Sequence, residues 1–214
     1  MEELPKLYTW KASGNSYKVR LLAALLDIKL ELIEIDYLND QQQSPEFLVM
    51  NARGTIPVLV NGEKTFTDSA AILVYLAGLR SDPNTNKTPS SFWSNDVVEQ
   101  ATIVDWLAFA ASWIQTGIAT ARYIVNFASK GDSTSRQQIL AMTTTKGYKS
   151  LEVLQTTLCE NEWLALGRPT IADVAVFAYV ALAPTGNISL DPYPAVKSWI
   201  SRVRSLPGFI PIDG

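Results

Sequence analysis

The stretch Asn51-Ala-Arg-Gly-Thr-Ile-Pro-Val-Leu-Val-Asn-Gly-Glu-Lys-Thr-Phe-Thr-Asp-Ser-Ala-Ala-Ile72 decides the fold. Ile56-Pro57 stands directly before an apolar strand, Val58-Leu59-Val60. Asn61-Gly62 is a dipeptide preferred in two-residue hairpin turns, because both turn positions need positive φ. A second strand is predicted over 64–67. Asp68-Ser69 then opens a helical run from Ala70 to Ala77, where free backbone N–H groups need acceptors. Proline cannot donate to a strand ladder, so Pro57 belongs at a strand's first residue. A trans bond there is an ordinary strand start. A cis bond would turn the chain and leave the polar groups of Ile56 outside the sheet, able to grip a peptide-like ligand in strand fashion. The segment alone leaves both open.

Upstream, strand and helix signals alternate. A strand is predicted over Leu4 to Thr9, a polar loop over Trp10 to Asn15, and a helix over Ser16 to Leu26. In that helix Val19, Leu22, Leu25 and Leu26 recur at helical spacing. Leu30 to Ile35 reads as a second strand, so a parallel βαβ unit with a right-handed crossover follows. Ser44-Pro45-Glu46 opens a short helix, with proline at its first position. The order βαβ-α-ββα gives a four-stranded sheet with helices on its faces.

Downstream the pattern changes. Arg80 to Ser91 is rich in Pro, Asn, Ser and Thr and reads as a linker. No strand signal follows it. Phe92 to Phe127 is predicted as one long helix or two halves, Ser133 to Glu160 as another, preceded by Gly131 and Asp132, and Tyr193 to Ser205 as a third. Thr170 and Asp173 have the spacing of a capping box in front of a helix that is apolar on nearly all sides, Ile171 to Val180. The fold class is therefore α/β followed by all-α, with domains over 1–79 and 92–214 joined by a linker over 80–91.

Composition excludes much chemistry. The 214 residues carry a formal net charge of −3, which argues against a basic nucleic-acid or membrane-surface face. No apolar run approaches ~20 residues, so no segment is expected to span a bilayer, and the N-terminus has no secretory pattern. With no histidine and a single cysteine, Cys159, there is no Ser-His or Cys-His nucleophile, no His-ligated metal site and no disulfide framework. Cys159 falls among Leu151, Leu154 and Leu158 and is expected to be a buried, inert thiol.

Three segments together carry a resemblance over essentially the whole chain. They are Ile56-Pro57-Val58-Leu59 with Asp68-Ser69-Ala-Ala-Ile72, the box Thr170-Ile-Ala-Asp173, and Tyr193 to Phe209 with its Leu206-Pro-Gly ending. In this order and separation they resemble the cytosolic glutathione transferase family. The resemblance implies a thioredoxin-like N-terminal domain, an all-helical C-terminal domain, a cis bond before Pro57, a homodimer and a cytoplasmic location. It also implies glutathione as co-substrate or cofactor, with no metal, and a small apolar electrophile as its reaction partner.

By that resemblance Asp68 and Ser69 meet the γ-glutamyl end, the Ile56 backbone beside Pro57 pairs with the cysteinyl peptide, and Gln42, or else Gln43, reaches the glycyl end. Arg53 could add a cation near a carboxylate. The family ionises the thiol with a Tyr, Ser or Cys near the first helix. The stretch Ser13 to Arg20 looks most like the serine and cysteine types, including the maleylacetoacetate-isomerase-like branch. Asn15 falls where several classes keep that side chain, with Ser13 and Ser16 as alternatives and Tyr8 next. Asparagine can donate to a thiolate but cannot take its proton. Trp10, Trp106, Phe109, Trp113 and Tyr123 are expected to line an electrophile site between the domains. Conjugation, reversible addition leading to cis–trans isomerisation, and a non-catalytic binding module all remain open. A disulfide exchanger is disfavoured, because the entrance of the first helix has no cysteine.

Overall fold

The computed structural model describes residues 3–79, 92–128 and 132–213; the expected linker, 80–91, and Gly131 lie outside them. Contacts divide the chain into two units, Met1–Ser90 with Leu206–Gly214, and Ser91–Ser205. The sequence reading counts the last residues with the second domain, whereas the structure packs them on the first helix. There the Tyr17 hydroxyl donates to the Ile210 carbonyl at 2.7 Å, and the Arg20 guanidinium donates to the Ile212 carbonyl at 2.8 Å.

The first unit runs β1 (Lys6–Thr9), α1 (Gly14–Leu25), β2 (Glu31–Glu34), α2 (Pro45–Met50), β3 (Val58–Asn61), β4 (Lys64–Phe66), α3 (Ser69–Leu79). Strand order is β2-β1-β3-β4. β1 and β2 are parallel and the other pairs antiparallel, a thioredoxin-like arrangement. Alternation along the strands separates two faces. Tyr8, Val58 and Val60 join Ile35, Ile56, Trp10 and Tyr37 around Phe47 and Met50 of α2. Leu7 and Leu59, paired across β1 and β3, point the other way. They are fully buried, as are Leu21 and Leu22 of α1 and Ile72, Leu73 and Leu76 of α3. Each such side chain contributes about 1.5–3 kcal/mol by leaving water.

The hairpin differs from expectation by one residue. Asn61 pairs with Lys64, so the two turn residues are Gly62 and Glu63. Gly62 supplies the positive φ, 57°. Asn61 stays in the strand because its side-chain amide donates to the Tyr75 hydroxyl at 2.8 Å.

The second unit is helical throughout its described residues. Its elements are α4 (Val97–Phe109), a π-helical segment (Ala110–Ala119), α5 (Thr120–Asn126), α6 (Ser133–Glu160), α7 (Ile171–Val180) and α8 (Pro194–Arg204). α4, the π segment and α5 form one continuous run, Val97–Asn126, which by length and composition is apolar enough to cross a membrane. This corrects the expectation that no segment is long and apolar enough to span a bilayer; Glu99, Asp105 and Arg122 interrupt the run without lowering its mean hydropathy enough to exclude it. Its Ile103, Leu107, Ile114 and Ile118 are buried in the helical core. At its centre Gly117 lies so close to Gly147 of α6 that a Cβ would stand 2.9 Å from the Gly147 amide nitrogen.

α7 is buried along its whole length. Thr170 and Asp173 form the predicted capping box. The Asp173 carboxylate also accepts from the Leu164 amide at 3.1 Å and from Trp199 Nε1 at 3.0 Å. It is therefore a structural anchor tying α7, its approach and α8 together. Cys159 corrects an expectation. It is exposed, because Leu151, Leu154 and Leu158 make the buried stripe of α6 and Cys159 lies to one side of it.

Candidate functional site

The entrance to α1 is a tightly tied loop. The Lys11 amide donates to Glu34 Oε1 at 2.8 Å, and its carbonyl accepts from Arg20 at 3.0 Å. Ser13 is the N-cap of α1, and its Oγ accepts from the Ser16 amide at 3.2 Å. Ser16 is fully buried, and its Oγ accepts from the Trp10 amide at 3.5 Å. The helix thus begins two residues earlier than predicted, at Gly14, with Ser13 as its cap. Both serine oxygens serve the backbone. Asn15 lies between them on the first turn and is only half-buried. Tyr8, next in line from sequence, is half-buried among the apolar residues above α2, edge-on to Phe47.

Lys18 is the residue the sequence reading passed over. It lies three positions after Asn15, on the same helix face. Its Nζ donates to Asn15 Oδ1 at 2.8 Å, yet the side chain is 3 % exposed. Burial pushes its pKa down to about 8, against an upward pull from the Asp68 carboxylate. The signal legible in sequence was the three-residue spacing between a polar amide and a lysine at a helix start.

The loop before β3 is shaped by Asn51. Its side-chain amide donates to the Thr55 carbonyl at 2.7 Å, and its Oδ1 accepts from the Arg53 amide at 3.1 Å. The Ile56–Pro57 bond is cis, and both residues are buried. The β3 ladder begins at Val58, opposite Tyr8, so Ile56 precedes it. The Arg53 side chain is exposed, and among the described residues no carboxylate is within ion-pair distance of it. Gln43 is committed to this loop, its Nε2 donating to the Gly54 carbonyl at 3.0 Å. Gln42 is 4 % exposed; its Nε2 faces Asp40 Oδ1 at 3.4 Å, and its buried Oε1 has no hydrogen-bond partner among the described residues.

Asp68 and Ser69 begin α3. The Asp68 carboxylate accepts from the Ala70 amide at 2.8 Å, and its carbonyl accepts from the Ile72 amide. Ser69 is the first residue of the helix and is half-buried, at the positive end of the helix dipole. The first unit thus carries Ser13, Asn15, Ser16, Gln42, Arg53, Ile56, Pro57, Asp68 and Ser69 on the loops flanking one sheet.

The expected electrophile-site aromatics divide between the units. Trp10 stacks on Tyr37 in the first, with ring centroids 4.9 Å apart, and packs in the cluster above α2. In the second, Trp106, Phe109 and Trp113 form a row along α4 and the π segment, with centroids 5.2 and 5.9 Å apart. Trp113 and Tyr123 are exposed. Tyr123 tilts against Phe127 instead of joining the row. A cavity of about 760 Å³, lined by the segment 181–191 and by α8 and bordered by Ile188, Asp191 and Arg204, contains none of these residues. Among the described residues no group of His, Cys, Asp and Glu is arranged to hold a metal.

Comparison with known proteins bears on the fold and the family. The family model of the glutathione S-transferase N-terminal domain matches residues 7–84, and that of the C-terminal domain matches residues 100–207. Glutathione S-transferase 2 of Anopheles gambiae is 30 % identical over 202 residues, covering 94 % of this chain and 91 % of its own. The crystal structure of a possible glutathione S-transferase from Rhodopseudomonas palustris superposes with a TM-score of 0.89 at 33 % identity, covering 99 % of both chains. Ure2p in complex with glutathione shares the fold, with a TM-score of 0.84 at 21 % identity over 97 % of this chain and 92 % of its own. With both domains matched in order, the chain belongs to the glutathione S-transferase family.

Proposed function

We propose that the protein binds glutathione on its first unit and ionises the thiol by hydrogen bonding from Asn15. Family membership and the α3 entrance support the binding: Ser69 would take the γ-glutamyl carboxylate on its amide and hydroxyl. The cysteinyl peptide would pair with Ile56. A ligand N–H at the glycyl end would satisfy the buried Oε1 of Gln42, since Gln43 is occupied with Gly54.

The observation that carries the reading is the arrangement at α1: the Ser13 and Ser16 oxygens serve the backbone, and Asn15 stands between them on the first turn, half-buried, with its Oδ1 held by Lys18. A free thiol with pKa ~8.5 is about 3 % ionised at pH 7, and lowering it by ~2 units gives about 75 % thiolate for roughly 2.7 kcal/mol. An amide donor at a helix N-terminus acts in that direction. Asn15 takes no proton, so the thiol proton leaves to solvent. In this respect the protein is a variant of the serine and cysteine types, with an amide in place of the hydroxyl or thiol.

The thiolate then attacks a small apolar electrophile. Addition ends in a conjugate, and reversible addition to a conjugated double bond ends in an isomer. A cytoplasmic homodimer is the assembly and setting proposed with this activity. The test is a pH titration of bound glutathione by thiolate absorbance, with calorimetry alongside. Ser69→Ala is expected to weaken glutathione binding by about 1–3 kcal/mol. Asn15→Ala is expected to raise the bound-thiol pKa while affinity for S-methylglutathione holds. A parent protein that binds glutathione without lowering its thiol pKa would instead be a non-catalytic binding module.

A further inference from the structure

Resting on the reading of Asn15 above, we propose that Lys18 is a positioning residue: its buried ammonium locks the Asn15 carboxamide so that the amide N–H edge, not the carbonyl, is presented to the glutathione sulfur. An asparagine side chain can face a ligand with either edge. If its Oδ1 faced a thiolate, the contact would repel. An ammonium can only donate, so the 2.8 Å contact from Lys18 Nζ fixes Oδ1 on the lysine side and turns Nδ2 away from it. The same contact draws electron density toward Oδ1 and makes the N–H a stronger donor.

The placement is costly for a merely structural lysine. A four-carbon stem normally carries its charge to water, but this one is 3 % exposed on the first turns of the helix that opens the site. Asn15 on α1 contacts its ammonium, and the Asp68 carboxylate at the start of α3 acts on it electrostatically. With its pKa held near 8, the side chain is about 90 % protonated at pH 7, so the site contains a cation as the thiol ionises. In the ionisation step the S–H bond breaks, sulfur keeps the electron pair, and the proton goes to water. Lys18 remains an ammonium throughout.

The experiment measures the bound-thiol pKa by thiolate absorbance in the parent, Lys18→Met, Asn15→Ala and the double variant, with S-methylglutathione affinity as the second readout. Lys18→Met is expected to cut the thiolate-to-thiol ratio at neutral pH about tenfold, a pKa rise of one unit that takes the ionised share from about three quarters to about one quarter. S-methylglutathione affinity should stay within about threefold. Because Lys18 acts through Asn15, adding Lys18→Met to Asn15→Ala should change nothing further. A folded Lys18→Met that keeps the parent's thiol pKa overturns the inference and leaves the Asn15 reading standing, as does a double variant whose effects add. A parent whose bound thiol titrates like free glutathione removes both. If Lys18→Met fails to fold, Lys18→Gln retains a donor to Asn15 Oδ1 without the charge. Retention of the parent pKa would then assign the effect to orientation, and a full rise would overturn the positioning role in favour of charge alone.

Discussion

Lys18 makes a prediction about stability that needs no ligand. Burial moves its pKa from 10.5 in an unfolded chain to about 8 in the fold. Below pH 8 the lysine is protonated in both states, and folding bears the full cost of burying the charge. Between pH 8 and 10.5 the native state releases a proton that the unfolded chain keeps, so stability rises with pH across this window. Above it both states are neutral and the cost is gone. A shift of roughly 2.5 units at 1.36 kcal/mol each makes the rise about 3 kcal/mol. In Lys18→Met the rise is absent. The assay is denaturant unfolding followed by tryptophan fluorescence from pH 7 to 10.5, in parent and variant. Tyrosines and the remaining lysines titrate in both proteins and cancel in the difference. Parent minus variant should climb by about 3 kcal/mol through the window. A difference flat in pH would place the ammonium in water or in a compensating ion pair, and would refute the buried-cation reasoning. Bound glutathione should move the window upward, because a thiolate nearby favours the ammonium.

Two further predictions concern stability, one at a buried carboxylate and one at a pair of helix glycines. Asp173→Ala strips the acceptor from Leu164, Thr170 and Trp199 in a buried site and should cost about 3–5 kcal/mol, read by thermal melting, with glutathione affinity of the folded variant unchanged by calorimetry. Gly117→Ala sets a methyl group against the Gly147 backbone and should destabilise by about 1–3 kcal/mol; Gly78→Ala, on α3 with nothing within 4 Å of the new Cβ, should stabilise by up to ~1 kcal/mol in the same melting series.

The sequence by itself determined the order of elements and most of their ends. Helical and strand periods are local, and so are caps such as Ser44 before Pro45 and the Thr170–Asp173 box, since each satisfies backbone groups within a turn of itself. The helix Ser133–Glu160 was legible to the residue for the same reason. Tertiary structure alone decided matters that depend on contacts remote in the chain. Strand pairing put the hairpin turn at Gly62–Glu63, because Asn61 had a partner in Tyr75. The last residues joined the first unit because carbonyls at Ile210 and Ile212 met Tyr17 and Arg20, nearly two hundred residues earlier. The site divided in the same way. The family resemblance was enough to name Ser13, Asn15 and Ser16 as candidates. Which of them caps the helix, which is buried, and that Lys18 is turned inward onto Asn15, follow from packing around the helix entrance. A lysine's charge reads as surface in any sequence; only the space its stem is given to fill decides whether it reaches water.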